Sequence, residues 1–161
     1  MTIADRAVLV TGANRGIGQA LVDEALRRGA SRVYAGTRRP LAVSDGRVTP
    51  LTLDVTNPDQ IRAAVDAVEA LDILVNDAGA AMYDDLSDRA ALEQHLAVNL
   101  FGTYGVTQAF VPLLTRSQGA IVNVLSNSAL AALPVAMADS WRSGAAKALE
   151  RQYEALTKGS T

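Results

Sequence analysis

The stretch that most constrains this chain is Ala7-Val8-Leu9-Val10-Thr11-Gly12-Ala13-Asn14-Arg15-Gly16-Ile17-Gly18. It opens with a short apolar run, Ala7 to Val10, of the kind that makes a strand buried on both faces. Leu21, Val22, Ala25 and Leu26 then recur at helical spacing among charged residues, and Gly29 ends the pattern. Between strand and helix lie three glycines spaced Gly-x-x-x-Gly-x-Gly. Glycine lets the backbone turn sharply and approach a ligand closely, and the free N–H groups of a helix N-terminus attract phosphate. A glycine corner alone also serves packing. Set between a buried strand and an amphipathic helix, it points to a bound phosphate.

The same alternation continues down the chain. Arg32 to Gly36 reads as a second strand and Val48 to Asp54 as a third. Thr56-Asn57-Pro58-Asp59 starts a helix with a cap residue, a proline and an acid, and Ile61, Ala64, Val65 and Val68 form its apolar face. Ile73-Leu74-Val75 is a fourth buried strand. Ser87 caps a long helix, with a bend, through Leu96, Leu100, Val106, Phe110 and Leu114. Ala120 to Val124 is a fifth strand, and residues 136–158 carry Met137, Trp141, Ala145, Leu149 and Leu156 along one side of a last helix. Continuous apolar strands alternating with helices imply an α/β fold with a parallel sheet covered on both faces. Right-handed crossovers make a Rossmann-like doubly wound sheet of order 3-2-1-4-5 the simplest topology, with a ligand at the carboxyl ends of its strands.

The whole of residues 1–161 is expected to form one domain, with a core over 1–133 and the tail helix over 136–158. A net charge of −2 leaves no footprint for nucleic acid or an anionic membrane. With no cysteine and one histidine, disulfides and thiolate chemistry are excluded and a zinc site is not expected. Asp84, Asp85 and Asp88 read as the acid run of a helix start, and no metal is expected. The first residues lack a long apolar segment, so the expectation is a cytoplasmic protein.

Taken together, these pieces resemble the short-chain dehydrogenase/reductase family. Thr11-Gly12-Ala13-Asn14-Arg15-Gly16-Ile17-Gly18 is similar to the family's cofactor-binding fingerprint, and Asp54-Val55 to its adenine-contacting pair. Asn76-Asp77-Ala78-Gly79 is similar to its Asn-Asn-Ala-Gly element, with Asp77 a departure. Asn99 stands where the family has its helix asparagine, and Ser126 where it has its substrate-orienting serine. The resemblance covers roughly the first 130 residues. It implies an oxidoreductase that moves hydride between a nicotinamide and a small carbonyl or alcohol substrate.

Physical chemistry separates the two dinucleotides. A free ribose 2′-hydroxyl is read by an acid at the end of the second strand, and a 2′-phosphate by arginine. Here that end is Gly36-Thr37-Arg38-Arg39, without an acid, and Arg15 lies in the glycine turn. The planar guanidinium donates two bonds to phosphate at once. NADP(H) is therefore expected in preference to NAD(H).

One element of the resemblance is missing. The family pairs hydride transfer with a proton from the tyrosine of a Tyr-x-x-x-Lys motif after the serine. The four tyrosines, Tyr34, Tyr83, Tyr104 and Tyr153, are followed four residues on by Arg38, Ser87, Gln108 and Thr157. Lys147 and Lys158 stand six before and five after Tyr153, well off its face at about 100° per residue. The residues from Trp141 to Gln152 look like the C-terminal tail helix of some members. The chain therefore reads as a member with an internal deletion, natural or engineered, joined near Leu133-Pro134-Val135. Ser126 and Asn99 remain as catalytic candidates; a strand-end serine also caps turns, and a helical asparagine also bonds neighbouring backbone.

Two functions follow. The first is an NADP(H)-binding domain of such an oxidoreductase with impaired or no turnover. The alternative is a non-catalytic dinucleotide-binding or scaffold module. Strand five becomes an apolar edge, an association hazard, so a homodimer, swapped or not, is expected.

Overall fold

In a computed structural model the described residues are 2–80 and 88–125. They fall in two compact units, one of residues 1–80 with 96–125, the other of residues 81–95 with 126–161. The first unit holds β1 (Ala7–Thr11), α1 (Gly16–Arg27), β2 (Arg32–Thr37), β3 (Val48–Thr52), α2 (Pro58–Ala67) and β4 (Ile73–Asn76). After β4, it resumes with a π-helical segment (Ala97–Gly102). The second unit contributes α3 (Arg89–Leu96, its last residue grouped with the first unit), and the first unit closes with α4 (Thr103–Ser117) and β5 (Ala120–Asn123). The tail helix over 136–158, Ser126, Ser87, Asp84 and Asp85 lie outside the described residues.

The sheet is the doubly wound one read from the sequence. Its five strands are parallel, in the order β3-β2-β1-β4-β5. Strand ends differ by small amounts: β3 stops at Thr52 rather than Asp54, and β5 at Asn123 rather than Val124.

Period two along the central strands divides the core in two. Val8 and Val10 of β1, with Ile73 and Val75 of β4, pack on the face that carries α1, against Val22 and Ala25. Leu9 and Leu74 point to the other face, where Ile61 and Ala64 of α2 meet Val106, Phe110, Leu113 and Leu114 of α4. Leu9, Leu74 and Phe110 are completely buried. Burying side chains of this size contributes about 1.5–3 kcal/mol each, so these two apolar layers hold the strand ends in place.

Caps follow local chemistry. Asn57 Oδ1 accepts the N–H groups of Asp59 at 3.0 Å and Gln60 at 3.2 Å, with Pro58 in the first turn of α2. This satisfies amides that the helix itself leaves open. In the second unit the cap of α3 is Asp88, whose carboxylate accepts from the N–H groups of Ala90 and Ala91 at 2.8 and 3.3 Å. The acid at 88 is thereby accounted for as a helix start.

The long helical run expected from the sequence contains a π-helical segment, Ala97–Gly102. A wide turn of this kind inserts one extra residue into the helix and re-aims its side chains. Asn99 lies within it.

Candidate functional site

The carboxyl ends of β1, β2, β3 and β4 open into a cleft of about 350 Å³. It is lined by Gly12, Asn14, Arg15, Gly16 and Ile17 from the turn between β1 and α1, and by Thr37 and Arg38 from the end of β2. Asp54, Val55 and Thr56 line it after β3, and Asp77, Ala78 and Gly79 after β4. Four separate sequence motifs thus meet in one place. The parallel sheet accomplishes this, because parallel strands bring successive loops out at the same edge.

The turn is built on close approach. Gly18 sits in the first turn of α1, where a Cβ would run into the Gly12 carbonyl oxygen and lie 2.7 Å from Asp77 Oδ2. Gly12 has φ +72°, and a Cβ there would lie 3.0 Å from Ala78 Cα. The first and third glycines are therefore required by packing of the turn against the loop after β4. Ile17 is left 61% exposed at the start of α1, beside the cleft it lines.

Thr11 stands behind the cleft. It is 2% exposed, and its Oγ1 accepts the N–H groups of Asp77 and Ala78, both at 3.0 Å. One hydroxyl thereby fixes the loop after β4 against the end of β1. Asn76, 5% exposed, is likewise behind the lining. Its Nδ2 donates to Thr107 Oγ1 at 3.1 Å and to Asn123 Oδ1 at 2.9 Å, joining β4 to α4 and β5. Buried amides of this kind are retained where every donor finds a partner.

Asp54 is braced at the mouth. Its Oδ1 accepts from the Thr56 N–H at 2.9 Å and the Thr56 hydroxyl at 2.7 Å, while its own N–H donates to Gln60 Oε1 at 2.7 Å. Burial acts to raise its pKa, but the Thr56 hydrogen bonds and the charge of Arg38 outweigh it and hold the carboxyl below its ordinary value. Asp77 is the opposite case. Burial pushes its carboxyl up, and the Gly18 N–H that it accepts offsets only part of the rise.

Asn99 makes a reciprocal pair with the loop after β4: its Nδ2 donates to the Ala80 carbonyl at 2.8 Å, and its Oδ1 accepts the Ala80 N–H at 2.9 Å. Its amide thus bonds backbone, in a loop rather than in a strand. Ser126 lies outside the described residues.

The cleft therefore gathers Gly12, Asn14, Arg15, Gly16, Ile17, Arg38, Asp54, Val55, Ala78 and Gly79, with Thr11, Gly18 and Asn76 directly behind it. Sequence reading missed Thr56, Gln60, Thr107 and Asn123, which hold these residues in place. Thr56 belongs to the helix-start signal before α2, and Gln60 lies in the first turn of α2. The partners of Asn76 are 31 and 47 residues away in the chain, and no local pattern marks them.

A short chain dehydrogenase family profile matches residues 6–149. The chain belongs to that family. It is 36% identical over 162 aligned positions to a short-chain dehydrogenase/reductase of Aspergillus fumigatus, a match covering 81% of this chain and 62% of that one. It is 35% identical to the mouse protein named carbonyl reductase [NADPH] 1, covering 83% of this chain and 53% of that one. Among solved structures, a short chain dehydrogenase from Burkholderia cenocepacia in complex with NADP superposes with a TM-score of 0.79 at 37% identity, covering 88% of this chain and 65% of that one. A short chain dehydrogenase from Leptospira borgpetersenii with bound NAD+ superposes with a TM-score of 0.73 at 26% identity, covering 81% and 55%. The chain spans little more than half the length of these curated relatives. Among the described residues no helix is long and apolar enough to cross a membrane.

Proposed function

We propose that the chain is the dinucleotide-binding part of a short-chain dehydrogenase/reductase and takes NADP(H) in preference to NAD(H). The observation that carries this reading is the meeting of Arg15 and Arg38 in one cleft with the glycine turn, where the end of β2 offers no acid. Gly12, Asn14, Gly16 and Ile17 would hold the pyrophosphate, Thr11 and Gly18 shape the turn, and Arg15 and Arg38 would hold the 2′-phosphate. Asp54 and Val55 would contact the adenine, Ala78 and Gly79 would line the wall beyond it, and Asn76 would hold that wall from behind. The residues present fit such a group. The turn leaves open space beside Gly16, and two guanidinium groups face a cleft wide enough for a ligand.

When bound, the nicotinamide supplies the hydride exchanged with a small carbonyl or alcohol substrate. This chain contributes binding and orientation. It lacks a Tyr-x-x-x-Lys motif, and loss of a positioned acid/base costs about 10²–10⁴-fold in rate; Ser126 and Asn99 are the remaining catalytic candidates. Turnover is accordingly absent or weak. An internal deletion near Leu133-Pro134-Val135 accounts for the loss. In support, the Aspergillus fumigatus relative aligns over 162 positions although only 81% of this 161-residue chain takes part, so many of those positions have no counterpart here.

The missing tyrosine and lysine favour a second reading, a non-catalytic dinucleotide-binding module. Calorimetric titration with NADPH and NADH tests the first: tight NADPH binding and much weaker NADH binding support it, and no binding of either refutes it. Sustained NADPH consumption with a panel of aldehydes and ketones, abolished in Ser126→Ala, refutes the second. Leu100, Phe101 and Tyr104 are exposed, which supports a homodimer; light scattering of the purified chain decides its mass.

A further inference from the structure

Among the described residues, the charged groups lining the cleft are Arg15, Arg38, Asp54 and Asp77, so two cations are set against two carboxylates in a site that, on the reading above, receives a polyanion. Asp54 is committed elsewhere, to Thr56 and the charge of Arg38. Among the described residues, Asp77 is not matched by a guanidinium. Its carboxylate takes the N–H of Gly18, in the first turn of α1, and its Oδ2 is so close that a Cβ on Gly18 would lie 2.7 Å away. Its backbone has no freedom to withdraw, because Thr11 Oγ1 holds the N–H groups of Asp77 and Ala78 at 3.0 Å.

A helix N-terminus attracts anions through its open N–H groups and its dipole. Here one of those groups is already taken by a carboxylate, and the negative charge sits beside the turn that would hold a phosphate. A neutral amide at the same position would keep the hydrogen bond without the charge. The resemblance noted above has an asparagine there.

We infer that Asp77 is an affinity-setting residue: its built-in negative charge at the start of α1 weakens the hold of the cleft on a polyphosphate ligand. The inference rests on the dinucleotide reading. Asp77 acts through the turn and the field, as a positioning residue that does not itself touch the reacting atoms.

The test is calorimetric titration of the whole chain and of Asp77→Asn with NADPH, with inorganic pyrophosphate and with adenosine, at low and at high salt. Asp77→Asn is expected to bind NADPH and pyrophosphate roughly five- to tenfold more tightly at low salt, since one unit charge a few ångströms from an anion acts on that scale. The gain shrinks at high salt as the charges are screened, and adenosine, which is neutral, binds both proteins equally. Asp77→Ser removes the charge and keeps a hydroxyl for Gly18, so it carries the test if the asparagine variant does not fold. Wild-type binding of NADPH with no gain in either variant overturns the role of Asp77 alone. So does an equal change in adenosine affinity, which marks a reshaped cleft rather than a charge. Failure of wild type and both variants to bind NADPH overturns the dinucleotide reading, and this inference with it.

Discussion

Replacing Gly18 by alanine sets two opposed effects against each other. In a helix, glycine to alanine ordinarily stabilises by about 1 kcal/mol. At this position the added Cβ would meet the Gly12 carbonyl, with its carbon 2.8 Å away, and Asp77 Oδ2 at 2.7 Å, where ordinary contact begins at 3.4 Å. The Gly12 atoms are backbone, and the loop after β4 lies so near that a Cβ on Gly12 would come within 3.0 Å of Ala78 Cα. They have no rotamer to give, so α1 or the loop after β4 must shift. Forcing extra atoms into a packed site typically costs about 1–3 kcal/mol, and rigid backbone places this case at the upper end. The net expectation is a loss of about 2 kcal/mol, or roughly 4–8 °C in Tm for a domain of this size. Urea and thermal unfolding of wild type and Gly18→Ala measure it directly. Shortening Asp77 in the double variant Gly18→Ala/Asp77→Ala relieves only the side-chain contact, so most of the loss remains. A Gly18→Ala protein as stable as wild type refutes the close-packing argument. Full rescue by Asp77→Ala shows that the side chain, not the Gly12 backbone, is the obstacle.

Asn76→Ala deprives Thr107 and Asn123 of a buried donor and is expected to lower stability by about 1–3 kcal/mol, read from the urea midpoint. Arg38→Ala is expected to weaken NADPH binding by about tenfold, a charge-assisted bond's worth, and to leave NADH unchanged; equal effects on the two in calorimetry assign Arg38 to a part they share. Because the folded state raises the pKa of Asp77, it holds that proton more strongly than the unfolded chain does. The favourable contribution is complete below the ordinary carboxylate value and is lost as pH climbs through the raised one. Stability of Asp77→Asn relative to wild type therefore rises with pH across that window and then levels off, as urea midpoints at successive pH values measure.

Sequence by itself determined the sheet and its order. The apolar runs at Val8-Leu9-Val10 and Ile73-Leu74-Val75 are too continuous for a strand with one wet face, and their alternation with amphipathic helices requires parallel crossovers. It also marked the loops that meet at the cleft. Glycines at 12, 16 and 18, arginines at 15 and 38 and the acid at 54 all fall just past strand ends, and a parallel sheet delivers strand ends to one edge. These are local signals, because strand periodicity and turn chemistry act over a few residues.

Only the tertiary structure decided how the site is held. Thr11 and Asn76 read as part of the fingerprint, yet the fold turns both inward. One clamps the loop after β4 through two backbone N–H groups, and the other ties that strand to Thr107 and Asn123. The amide of Asn99 had two readings in the sequence, and the π-helical turn aims it at Ala80. Asp77 read only as a departure, and its carboxylate at the first turn of α1 becomes visible once Gly18 and the loop after β4 are brought together. The physical reason is common to all four. A polar side chain's partner is chosen by which groups burial leaves without water, and that is settled by contacts between residues dozens of positions apart.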